Sequence, residues 1–149
     1  SSESKSFTLP PQQKGDTSTG VVPTGPAQPP VEGTVVTKAP GAGQRIDGVT
    51  SEFFEFDVDA VHDNAAMRGR VTPTLPADLD LYLQRRSDDG TWSDAGTGAN
   101  GGALDGETIG TDNLIPGHYR LEVHNWAGPP GNSVAIQLTF LNSAGQAGT

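Results

Sequence analysis

Residues 78–92 read DLDLYLQRRSDDGTW. Leu79, Leu81 and Leu83 alternate with Asp78, Asp80 and Tyr82. A period of two is the mark of a strand that buries one face and wets the other. Ser87, Asp88, Asp89 and Gly90 then supply turn residues, so the stretch predicts a strand running into a hairpin. The same period recurs along the chain, and that recurrence sets the fold class. FFEFDV (53–58) sets Phe54, Phe56 and Val58 against Phe53, Glu55 and Asp57. AMRGRVT (66–72) buries Met67, Gly69 and Val71 and exposes Arg68 and Arg70. HYRLEVHN (118–125) sends Tyr119, Leu121 and Val123 inward and leaves His118, Arg120, Glu122 and His124 on the wet face. SVAIQLTF (133–140) buries Val134, Ile136, Leu138 and Phe140. No long segment has a helical period. Such strands, with weaker ones around Trp92 and Ile109, need two sheets to cover their apolar faces. The expected fold is all-β, a Greek-key or jelly-roll-like β-sandwich.

The first third of the chain has different physics. Pro10, Pro11, Pro23, Pro26, Pro29, Pro30 and Pro40 lie among Gly, Ser and Thr, with few apolar residues. Such a segment buries too little surface to offset chain entropy, so residues 1–49 predict a linker or extended arm with polyproline character. Residues 50–142 predict the sandwich and 143–149 a flexible tail. A short run, Gly33 to Val36, could alternatively add an edge strand to a neighbouring subunit. The 149 residues carry no Cys and a net charge of −9. Disulfides and thiolate metal sites are therefore excluded. The chain has nine Lys and Arg, too few for the basic patch that nucleic acid requires. No apolar run approaches the ~20 residues of a membrane span. The chain starts with Ser and shows no charged leader before an apolar core, which fits a mature product or a fragment.

LIPGHYRL (114–121) predicts a corner. Pro116 and Gly117 suit the two central positions of a type II turn. Tyr119 follows, and its hydroxyl can bond back to the connection, as at the tyrosine corner of Greek-key sandwiches.

In order, FFEFDV, DLDLYLQRRSDDGTW, GETI (106–109) and LIPGHYRLEVHNWAGPPGNSVAIQLTF (114–140) resemble the bacterial pre-peptidase C-terminal domain. The resemblance spans residues 50–142. YRLEVHNWAGPPGN (119–132) is similar to the tails of secreted actinobacterial peptidases. The resemblance implies a secreted, extracellular, noncatalytic accessory domain of a hydrolase of the peptidase class. Its implied roles are export, stability or binding of an insoluble polymer, with the parent catalytic domain as partner. Relatives in collagenases bind calcium and collagen. This chain lacks an acidic cluster before its first strand that would match their calcium ligands.

Residue by residue, the chemistry-bearing candidates are few. No His-Glu-x-x-His or Gly-x-Ser-x-Gly motif occurs, so no catalytic residue is expected. Asp78 and Asp80 lie roughly 7 Å apart on one strand face. With Asp105 or Glu107 from a neighbouring segment, they are a candidate Ca²⁺ site. The competing reading is a solvated face on which Asp80 pairs with Arg68 or Arg70 across the sheet. Tyr82, Trp92 and Trp126 are candidate ligand-binding residues. The two Trp rings equally suit capping of the core, whereas Tyr82, out of phase with Leu81 and Leu83, is the better surface contact. Two further readings have different predictions. One is a structural subunit whose N-terminal arm completes a neighbour's sheet. The other is a carbohydrate- or collagen-binding module using the three aromatic residues.

Overall fold

The computed structural model describes residues 25–98 and 100–149. The strands are β1 (Val31–Val36), β2 (Ser51–Val58), β3 (Ala66–Pro73), β4 (Asp78–Arg86), β5 (Trp92–Thr97), β6 (Glu107–Thr111), β7 (Gly117–Ala127) and β8 (Ser133–Leu141). They form two four-stranded sheets, ordered β1-β8-β3-β6 and β2-β7-β4-β5, with every strand pair antiparallel. That order is the eight-stranded jelly roll of two interlocked Greek keys. No helix long and apolar enough to cross a membrane occurs among the described residues.

Among the described residues, only β4 and β5 are joined as a hairpin within one sheet. There the Ser87 amide donates to the Thr91 carbonyl and the Gly90 amide to the Ser87 carbonyl, closing the turn. All other connections cross between sheets. Each sheet contributes its apolar phase to the interior. Leu79, Leu81, Leu83, Leu121 and Val123 face Met67, Val71, Val134, Ile136, Leu138 and Phe140, all buried. Phe56 stacks on Tyr119 at 5.7 Å and meets Phe140 at 6.2 Å, joining the layers at one end. The inward phases expected for the five main strands are those observed.

Two boundaries differ from the sequence reading. Val31–Val36 lies inside the expected linker, yet it pairs with β8 of its own chain from Val31↔Leu138 to Val36↔Ser133. Val35 is buried in the core, and Gln28 bonds Asn64 and the Asp57 carbonyl. The sandwich therefore takes in residues well before 50, because β8 would otherwise present an open edge. The part of the expected linker before residue 25 lies outside the described residues. The expected C-terminal tail folds back. Leu141 bridges Ala147, and the Gly148 amide donates to Phe140.

The corner also differs in detail. Gly117 has φ 155°, far from the roughly +80° of a type II turn. Tyr119 nonetheless closes the connection. Its hydroxyl donates to the Ile115 carbonyl at 2.7 Å and lies 3.3 Å from the Ile115 amide.

Candidate functional site

The outer face of the β2-β7-β4-β5 sheet carries most of the polar chemistry. Register arranges it in cross-strand rows. Ser51, His124 and Asp80 form one row; Phe53, Glu122 and Tyr82 the next; Glu55, Arg120 and Gln84 the third. Asp57 and His118 begin the last.

Glu122 and His124 were expected on the wet face, and both are buried, each 1% exposed. The cause is the segment between β1 and β2, which folds over this face. Its Gly41 amide donates to the Asn125 carbonyl. Its Arg45 donates to both Glu122 oxygens, at 2.8 and 3.2 Å, and stacks 3.5 Å over the Tyr82 ring. Ser51 donates to Glu122 at 2.7 Å. That uses the only hydroxyl proton, so His124 Nδ1, 3.2 Å from Ser51 Oγ, is the donor of their contact. His124 Nε2 is left buried without a partner. Burial pushes the Glu122 carboxyl up, but the Arg45 and Ser51 bonds and the Arg45 and His124 charges outweigh it. The net shift is downward.

Ser51, His124 and Asp80 have the residue types of a hydrolytic triad. They are buried: Ser51 is 0% exposed and its hydroxyl donates to Glu122. His118 is the opposite case. It lies near the surface, clasped by Glu55 at Nε2 and Asp57 at Nδ1, both at 2.6 Å. Those two bonds, and then the two carboxylate charges, raise its pKa.

The three candidate aromatic residues do not form one surface. Tyr82 is half-buried under Arg45 rather than free as a contact. Trp92 lies beneath Arg120 at 4.4 Å and beside His118 at 5.7 Å. Trp126 meets the His124 ring edge-on at 6.4 Å and is 39% exposed. His118 and His124 are six residues apart on β7, so the two Trp rings sit at stations about 20 Å apart.

The candidate cation ligands divide. Where β5 stops pairing, the following loop continues along the edge of β4. Asn100 holds it there, accepting from the Leu81 amide and donating to the Leu81 carbonyl. Asp78, Asp80, Asn100, Gly101, Gly102 and Trp126 line a cleft of about 260 Å³ at this edge. Glu107, inward-facing at the start of β6, is 5% exposed and Asp80 is 6% exposed. Asp105 points elsewhere, lining a groove with Pro73, Pro76 and Leu104. Arg68 and Arg70 belong to β3 in the other sheet, so the expected cross-strand pairing with Asp80 does not occur. Arg68 instead binds Asp112 at 2.7 Å, and Arg70 donates to the Asp105 carbonyl. Burial, then the neighbouring Asp78 charge, raises the Asp80 pKa. Burial, then the Asp78 and Asp80 charges, raises that of Glu107. Among the described residues, no three Asp, Glu or His side chains already converge on one coordination point.

Sequence reasoning missed Arg45, Ser51 and Asn100. Nothing in the linear pattern marks them, because each acts on a strand distant in sequence. Neither a family model nor a curated protein matches the chain.

Proposed function

We propose that this chain is a noncatalytic accessory domain carried by a secreted hydrolase of the peptidase class. Its role is to stabilise the parent enzyme, assist its export or hold it on substrate. The observation that carries the reading is the sealing of the Ser51–His124 pair, with Glu122 and Asp80 beside it, beneath the Arg45 segment. A buried nucleophile supports packing and not turnover. The order of motifs, which resembles the pre-peptidase C-terminal domain, supplies the peptidase association and the extracellular setting.

The reading in which an arm completes a neighbour's sheet has less support, since β1 is engaged by β8 of its own chain. The reading as a polymer-binding module through Tyr82, Trp92 and Trp126 is weakened by their separation. A polymer site would have to span about 20 Å of the sheet.

The test is an activity assay of the isolated chain on casein, collagen and small chromogenic amides and esters. No turnover is expected, with cooperative unfolding showing that the chain is folded. Turnover that disappears in Ser51→Ala, with folding intact, would overturn the proposal.

A further inference from the structure

One end of the β4–β7 ladder holds a cleft that the proposed function does not use. Asp80 stands opposite His124, and Asp78 opposite Ala127. The register shifts between Asp78 and Leu79, so Trp126 has no residue of β4 opposite it. A bulge of this kind re-aims a side chain. Here Trp126 joins Asp78 and Asp80 in lining a cleft of about 260 Å³. One side of the rim is fixed by Asn100, which accepts from the Leu81 amide and donates to the Leu81 carbonyl. Beyond Asn100 the rim is open, since a Cβ on Gly101 or Gly102 would meet no atom within 4 Å.

Asp80 points independently to a ligand. It lines the cleft, yet it is only 6% exposed. Among the described residues it has no hydrogen-bond donor and no ion pair. Burial and the Asp78 charge act against its carboxylate, and only the charges of His124 and Arg45 favour it. Both of those groups are bonded elsewhere, Arg45 to Glu122 at 2.8 Å and His124 to Ser51 at 3.2 Å. Asp78 Oδ1 is also buried without a partner. Crowded carboxylates without donors oppose folding unless a positive charge reaches them.

The lining selects the kind of charge. Two carboxylates and an indole offer too few oxygens for a hard metal ion, which takes about six or more. They suit an organic cation. A guanidinium carries its N–H donors in one plane and can bridge two carboxylates. The same plane stacks on an indole face, and it is more weakly hydrated than an ammonium, so it enters a partly desolvated cleft more readily. The volume lies below the ~300–1,000 Å³ of pockets for drug-sized ligands, which fits a single side chain.

We propose that Asp78, Asp80 and Trp126 form a pocket for one arginine side chain, presented by a peptide segment that lies across this end of β4. Asp80 and Asp78 accept from the guanidinium, and the Trp126 indole stacks on it. The pocket stands apart from Tyr82 and Trp92, and it does not depend on whether the domain accompanies a peptidase.

The experiment is an NMR titration of the whole chain with acetyl-Gly-Arg-Gly-amide, and with the same peptide carrying citrulline or lysine in place of arginine. Citrulline keeps the shape of arginine and removes its charge. The arginine peptide should bind with a Kd on the order of 1 mM. It should shift the Trp126 indole N–H and the Gly101 and Gly102 amides and leave the Trp92 indole unmoved. The citrulline peptide should bind about tenfold more weakly or worse, and the lysine peptide about threefold more weakly. Asp80→Asn keeps the side-chain shape and removes one of two crowded charges, so it should fold as the parent does and bind about tenfold more weakly. Trp126→Ala should bind about threefold more weakly. Asp105→Asn, on the separate groove, should bind as the parent does. The proposal is overturned if about 10 mM arginine peptide moves none of these signals, or moves a different surface instead. It is equally overturned if citrulline or lysine matches arginine, or if affinity survives in both Asp80→Asn and Asp78→Asn. None of these outcomes bears on whether the domain is catalytic.

Discussion

At the scale of the residue, the Arg45–Glu122 pair decides most. Glu122 is almost wholly buried, whereas the Arg45 side chain is 35% exposed. Removing the exposed partner strands the buried one. Arg45→Ala is therefore expected to cost about 2–3 kcal/mol in urea unfolding, moderated by the bond Ser51 still donates. Titration adds a signed test. The lowered Glu122 carboxyl contributes stability that is present above its unfolded pKa, roughly 4.3, and lost as pH falls through its folded value. The raised His118 contributes stability fully present below about 6.5 and lost as pH rises through its folded value. Asp80 and Glu107 are raised carboxyls, so they too favour the fold at lower pH. In EDTA, Tm should peak in the mildly acidic range and decline above neutrality. His118→Gln should flatten the alkaline side of that profile. An unchanged profile would show that the Glu55 and Asp57 contacts do not hold in solution.

At the scale of the element, β1 is the informative strand. It is short and lies at a sheet edge, and its middle residue is glycine. A Cβ on Gly33 would lie 2.4 Å from Phe54 Cε1, so the absent side chain is what lets the β1 edge settle over β2. Gly33→Val should cost about 1–3 kcal/mol through overpacking, despite the higher strand propensity of valine. Denaturant titration would measure it, and a gain in stability would show that the edges are not packed so closely. The corner before β7 shows the limit of local rules. Pro116 and Gly117 suggest a type II turn; Gly117 does take a positive φ, but at 155° rather than the type II value, and the Tyr119 hydroxyl closes the connection.

At the scale of the whole molecule, the jelly-roll order makes the two ends of the described chain interdependent. β1 covers β8, the last strand, and the turn after β8 reaches back to Gly25 through Asn142. The full chain, with β1 in place on β8, should run as a monomer. A chain beginning at Gln44 lacks β1 and leaves the β8 edge open, so it should lose stability and associate. Light scattering after size exclusion distinguishes these outcomes. A stable monomer from Gln44 would mean that β1 is dispensable.

The sequence by itself determined the five main strands and their inward faces, because a period of two is a local consequence of the pleat. Leu79, Leu81 and Leu83 could only face one way once Asp78 and Asp80 faced the other. Which outward faces stay wet was decided only by the tertiary structure. Glu122 and His124 keep the phase that the alternation gave them. They are nevertheless buried, because a segment some 75 residues earlier lies across them, with Arg45 on Glu122 and Thr50 bonded to Asn125. Alternation reports the side of a sheet on which a residue stands. What covers that side depends on long-range chain paths, which leave no periodic mark in the sequence.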